Sequence, residues 1–134
     1  MPTDLARVAA GVIVTAFCLA AAPAQAPDPI AGIEPGSWRL RELSGGETVT
    51  MCVADPHQLL QVRHAGAACE RTPLDGDGSR ATVRYACAGT GYGRTSVVVE
   101  TRQLVRIRTQ GIKDGAPFDF EYEARRTGAC RTGA

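Results

Sequence analysis

The sequence predicts a mainly β fold: a curved antiparallel sheet of about seven strands, a half-barrel-like meander with one short α-helix and two disulfides. Three observations carry this expectation. Between Ser79 and Cys130, apolar and polar residues alternate with a period of two through three tight turn signals, as strands with one buried face require. Helix-start chemistry occurs at one place, Asp55-Pro56, where Asp suits the N-cap, Pro the first helical position and Gln58 the third. Four cysteines, Cys52, Cys69, Cys87 and Cys130, remain once an N-terminal leader is set aside, an even set suited to an oxidising compartment.

The leader is residues 1–24. Arg7 precedes an apolar run from Val8 to Ala22, shorter than the ~20 residues a spanning helix needs. Ala22-Pro23-Ala24 fits a small-x-small cleavage pattern, so a Sec-type cut is expected after Ala24. The chain should then reach the periplasm or the exterior with no stable membrane span. An uncleaved anchor and a lipid-modified Cys18 are the competing readings, but Thr15-Ala16-Phe17 lacks the leucine and small residue of lipoprotein signals.

The remaining 110 of 134 residues suffice for one domain, 35–134, behind a flexible lead-in, 25–34, in which Pro27, Asp28 and Pro29 break regular structure. Basic and acidic residues nearly balance, at a net charge of +1, so neither nucleic acid nor an anionic membrane is implied. Lys113 is the only lysine among the basic residues.

Pro35-Gly36 turns into a strand with Trp38 and Leu40 inward and Arg39 and Arg41 outward; Ser44 to Glu47 is a hairpin turn, and Thr48 to Val53 returns. The helix brings Leu59, Leu60 and Val62 to the sheet and stops near Gly66. A strand from Ala67 to about Leu74 meets the turn Asp75 to Gly78. Beyond it Ala81, Val83, Tyr85 and Cys87 share one face. Ala88 to Gly93 reads as a glycine-rich loop with Tyr92 near its tip. The strand Arg94 to Thr101 contains Val97, Val98 and Val99, as expected of a central strand covered on both faces. In the last hairpin Phe118, Phe120, Tyr122 and Ala124 face inward, and a register with Ile107 opposite Phe120 would set Arg108 against Asp119 and Arg106 against Glu121.

The cysteine spacings of 17, 18 and 43 contain no C-x2-C knuckle for zinc and no redox C-x-x-C. Cys69 and Cys87 lie nearly symmetrically about the Asp75 to Gly78 turn, which favours Cys69–Cys87 with Cys52–Cys130. The second bridge would tie the last segment to the second strand and curl the sheet. The other two connectivities remain open.

Few residues offer chemistry. His57 and His64, two helical turns apart, lack a carboxylate at ligand spacing and read as exposed or capping residues. Asp75-Gly-Asp-Gly-Ser79 opens like a calcium loop, but Arg80 stands at the sixth position and Ala86 at the twelfth, where glycine and glutamate are needed. Gly89 to Gly93 opens no helix and makes a poor phosphate cradle. No Gly-x-Ser-x-Gly elbow occurs, and Glu121 and Glu123 are matched with arginines. No catalytic residue, metal site or cofactor is implied.

Pro35-Gly36-x-Trp38, then Thr48 to Cys52 before a capped helix, then Cys69, Cys87 and Gly128-Ala129-Cys130 resemble the small exported bacterial proteins of unknown function grouped as DUF family 3617. The resemblance spans nearly the whole mature chain and implies export and four paired cysteines. It carries no catalytic residue over. The expected role is a non-catalytic binding or structural module of the cell envelope, whose partner is an envelope protein or a small apolar ligand, with Tyr92 and Arg94 as a possible partner loop. The alternatives are an inhibitor of an extracytoplasmic hydrolase and a carrier of a small apolar molecule.

Overall fold

The computed structural model describes residues 11–23 and 27–131. Residues 11–23 are exposed and contain no helix or strand, and the expected cleavage point after Ala24 lies outside the described residues. No helix among the described residues is long and apolar enough to cross a membrane.

Seven strands form one antiparallel, unclosed sheet: β1 (Gly36–Glu42), β2 (Thr48–Val53), β3 (Cys69–Gly76), β4 (Arg80–Cys87), β5 (Gly91–Thr101), β6 (Leu104–Lys113) and β7 (Ala116–Gly128). Their order is β2-β1-β7-β6-β5-β4-β3. The last five run as the expected meander, whereas the β1–β2 hairpin docks on β7, leaving β2 and β3 as the two edges. Two 3-10 segments, η1 (Ile30–Gly32) and η2 (Pro56–His64), complete the fold. Because η2 connects one edge strand to the other, the chain must cross the sheet there, and it crosses over the inner face.

That face holds the core. Trp38, Leu40, Val83, Val97, Val105, Ile107, Tyr122 and Ala124 project inward from the strands and pack against Leu59 and Leu60 of η2 and Ile30 and Ile33 of the N-terminal segment. Val83, Val105, Ile107, Tyr122 and Ala124 follow from the period-two alternation expected between Ser79 and Cys130, and Trp38 and Leu40 from the same alternation in β1. The inner face is therefore filled by side chains.

The connector differs from the expected α-helix. Its capping box forms: the Asp55 carboxylate accepts from the His57 N–H at 2.9 Å, and Gln58 Oε1 accepts from the Asp55 N–H at 3.3 Å. The segment is 3-10 throughout and breaks at Gln61 (φ −138°, ψ 41°). The cause is side-chain competition with the helix. Gln61 turns inward, donates to the carbonyls of His64 and Ala67 (3.2 and 2.9 Å) and accepts from Arg71 (3.0 Å). These bonds hold two short turns, so Leu59, Leu60, Gln61 and His64 are all buried.

The expected lead-in packs. Ile30 and Ile33 are 1% and 2% exposed. Asp28 accepts from the Ile30 N–H at 2.9 Å, the Glu34 N–H donates to the Arg102 carbonyl at 2.9 Å, and Trp38 Nε1 donates to the Glu34 carbonyl at 3.0 Å. Breakers at Pro27 and Pro29 prevent a regular element without preventing two isoleucines from reaching the core.

Three strand details also differ. The β6–β7 turn is only Asp114-Gly115, both at positive φ (51° and 81°), the geometry of a type I′ hairpin. This shifts the register by two, so Ile107 faces Tyr122 and Thr109 faces Phe120. Arg106 then pairs with Glu100 at 2.8 Å, and Arg108 reaches Asp119 diagonally at 3.7 Å. The β4–β5 loop is three residues long, with Cys87 opposite Gly91, so Tyr92 and Arg94 belong to β5. Of the three consecutive valines of β5 only Val97 is fully buried, Val98 being half-exposed on the outer face, so among the described residues the sheet is covered on one side. Edge strand β3 sets Arg71 opposite Tyr85 and carries a bulge at Leu74.

Both favoured disulfides form. Cys69 and Cys87 are direct register partners. Cys52–Cys130 spans the start of β1, where Ser37 pairs with Cys52 on one side and Gly128 on the other. It staples three neighbouring strands and does not draw the two edges together.

The bridges close loops of 78 and 18 residues. Replacing both cysteines by serine should lower the unfolding free energy by about 4–5 kcal/mol for Cys52–Cys130 and about 3 kcal/mol for Cys69–Cys87, read by denaturant unfolding; the reverse order would contradict this account. Ile30→Ala should cost about 2–4 kcal/mol, whereas a loss below about 0.5 kcal/mol would mean the N-terminal segment does not stabilise the core.

Candidate functional site

Among the described residues nothing covers the outer face of the sheet, and its side chains stand in rows set by the register. One row crosses Arg84 of β4, Arg94 of β5, Gln110 of β6 and Asp119 of β7. Arg84 and Arg94 are therefore directly opposed, with Cβ atoms about 5 Å apart. Both are exposed, and neither belongs to any ion pair among the described residues. Like charges directly opposed cost stability in a sheet. Tyr92, 56% exposed, stands on the same face two residues from Arg94, and the three side chains border a shallow groove of about 350 Å³ over the β5–β6 backbone.

A second opposed pair has the same character. Arg39 of β1 faces Arg125 of β7, both exposed and without a carboxylate partner among the described residues. Between the two pairs the other arginines are matched: Arg41 with Glu123 (3.4 Å), Arg106 with Glu100 and Arg108 with Asp119. The positive charge left over on this face among the described residues lies at these two pairs and at Arg80 of β4, exposed opposite Val98. Of these residues, sequence reasoning singled out only Tyr92 and Arg94. Arg84 becomes their neighbour because the loop is short, and Arg39 meets Arg125 only because β1 docks on β7.

His57 lies on the other side of the molecule. Its Nδ1 bonds the Asp55 carboxylate at 2.9 Å and its Nε2 bonds Asp28 at 2.7 Å, while Arg71 donates to its carbonyl at 3.1 Å. Partial burial alone would lower the imidazole pKa, but the two carboxylates outweigh it and raise the pKa above the usual 6.5. For Asp28, burial is outweighed by the bond to His57, and for Asp55 the His57 N–H leads; both carboxyls sit below the usual 3.8. With both ring nitrogens engaged, His57 has no free lone pair for proton abstraction. It is a cationic link between η2 and the N-terminal segment. The acidic partner missing from the sequence reading is Asp28, 29 residues away, which no spacing rule would select.

His64, expected to be exposed or capping, is 2% exposed. Its Nδ1 pairs with the Tyr85 hydroxyl at 2.9 Å, the two rings meet edge to face, and Arg63 lies 4.5 Å over the Phe120 ring. Burial raises the Tyr85 pKa above its usual 10, against a lowering by a hydrogen bond with Thr109. The glycines expected as a loop make room for this cluster. A Cβ at Gly93 would come within 2.6 Å of the Tyr85 hydroxyl, and one at Gly91 would strike the Ile112 carbonyl.

The two histidines thus serve separate contacts. Asp77, in the stretch resembling a calcium loop, accepts from the Ser79 and Arg80 N–H groups and the Ser79 hydroxyl, which is turn chemistry. No cluster of three potential metal ligands occurs among the described residues. Comparisons with family models, curated proteins and solved structures returned no match to the chain.

The His57 link has a defined pH sign. Because the folded pKa of His57 is raised, its contribution is complete below about 6.5 and fades as pH rises through the folded value. The Asp28 and Asp55 contributions fade as pH falls below about 3.8. Wild type should therefore exceed His57→Asn in denaturant midpoint near pH 5.5, and the gap should shrink toward pH 9 (round values bracketing the ordinary histidine range). A gap independent of pH would show that the link is not ionic.

Proposed function

We propose that the chain is an exported, non-catalytic binding module of the cell envelope, acting through the outer face of its sheet. The observation that carries this reading is the pair of opposed arginines, Arg84 and Arg94, exposed without a carboxylate partner among the described residues and flanked by Tyr92. Side chains that cost stability where they stand are candidates for a contact outside the chain, and Tyr and Arg are enriched at binding hot spots.

The two disulfides support an oxidising, extracytoplasmic setting, in keeping with a cleaved leader and with the resemblance to DUF family 3617. The filled inner face favours surface recognition over an enclosed apolar ligand. The inhibitor reading has less support, because the loop it would insert, Ala88 to Gly93, is a three-residue turn followed by strand. Engagement of both His57 nitrogens supports a role without catalysis.

Expression of the full chain in a bacterial host, followed by cell fractionation and intact mass measurement, tests the compartment. The expected product begins at Gln25 and carries both disulfides. A product retained in the cytoplasm with residues 1–24 attached and reduced thiols would overturn the export reading.

A further inference from the structure

We infer that the outer face docks an acidic polypeptide through two arginine clamps, Arg84/Arg94 and Arg39/Arg125. This rests on the binding-module reading and gives its partner a chemistry. Each clamp sets two guanidinium groups on adjacent strands. A guanidinium fork matches a carboxylate in a bidentate way that an ammonium cannot.

The spacing of the clamps follows from the register. Arg94 shares a row with Gln110 and Asp119, and Asp119 precedes Arg125 by six positions on β7. The nearest members of the clamps, Arg94 and Arg125, are thus about 20 Å apart along the strands and two strands apart across the sheet, the clamp centres three strands apart. One carboxylate cannot satisfy both. An extended acidic segment of about seven residues, or an acidic protein face, can.

Charge complementarity selects a polypeptide over a lipid surface. The zone between the clamps carries Asp119, Glu121 and Glu123, of which Asp119 and Glu123 are engaged with arginines. These groups lie beside Arg41, Arg106 and Arg108, which are already matched with carboxylates, so a plane of lipid phosphates would find little free positive charge between the clamps. A polypeptide places carboxylates at the clamps and neutral residues between them, the patterned match that gives protein partners specificity. Tyr92 beside the first clamp supplies a rigid aromatic contact of the kind enriched at such interfaces.

Fluorescence anisotropy on the full exported chain tests this, using a labelled peptide with two Glu-Glu pairs separated by an extended spacer of about 20 Å. A second peptide carrying one Glu-Glu pair and phosphatidylglycerol vesicles serve as comparison probes. At low ionic strength the two-pair peptide should bind at least about tenfold more tightly than the one-pair peptide. Arg84→Ser/Arg94→Ser and Arg39→Ser/Arg125→Ser should each weaken it about tenfold. Arg41→Ser/Arg106→Ser, which removes the same charge from arginines already paired, should change it by less than about twofold. The clamp variants should also unfold no earlier than wild type, since each removes a like-charge opposition.

Equal losses in all three double variants would mean diffuse attraction and overturn the clamps while leaving the module a binder. Vesicle binding with the same dependence on the clamps would assign the face to a membrane. Absence of peptide binding at low salt would overturn the acidic partner, and the fractionation result would still judge export on its own.

Discussion

Everything in this fold depends on one segment crossing the sheet. A single open sheet can bury only one of its faces, and burying it needs a second layer. The chain builds that layer from the connection between its two edge strands, β2 and β3, with η1 laid beside it. Leu59 and Leu60 are 0% and 3% exposed and share one core cluster with Val83, Val97 and Ile107 of the neighbouring strands β4, β5 and β6. Without that crossing the apolar row from Trp38 to Val83 would face water. At about 25 cal/mol per Å² of apolar surface removed from water, covering that row stabilises the fold.

The crossing also explains why polar groups sit inside. A short segment cannot satisfy its own backbone, so side chains do so: Gln61 takes the carbonyls of His64 and Ala67, and the capping pair Asp55 and Gln58 closes the start. Thr95 and Thr109 satisfy each other across β5 and β6 at 2.9 Å, and His64 meets the Tyr85 hydroxyl. Partnered in this way, Gln61 and the two threonines cost little, whereas the buried Nε2 of His64 has no hydrogen-bond partner among the described residues.

What could be read beforehand was local. The alternation from Ala81 to Cys87 and from Phe118 to Ala124 identified the inner face, the Asp55-Pro56-x-Gln58 signal placed the cap, and symmetry about one turn paired Cys69 with Cys87. What could not be read depended on distant chain. Ile30 and Ile33 reach the core only because η2 leaves them a seat, Asp28 meets His57 across 29 residues, and the 3-10 winding follows from Gln61 turning inward. The candidate site divides the same way: Tyr92 and Arg94 stood out locally, whereas Arg84, Arg39 and Arg125 became their counterparts through register. Reading Ala88 to Gly93 as a loop conceals the pairing of Arg84 with Arg94, because strand pairing resumes at Gly91.

The nesting of the disulfides bears on how such a chain is made. Cys69–Cys87 lies wholly inside the loop closed by Cys52–Cys130. If thiols paired in the order in which they emerge from a translocon, Cys52 would join Cys69 and leave Cys87 for Cys130, a connectivity this sheet cannot hold. Cys52 must therefore stay reduced, or be reshuffled, until Cys130 has emerged and β7 takes its place beside β1. The β3–β4 hairpin can oxidise earlier, before the β1–β7 pair forms. Any Cys52–Cys69 bridge made on the way must be undone by thiol exchange, on the timescale of seconds to hours that disulfide rearrangement sets.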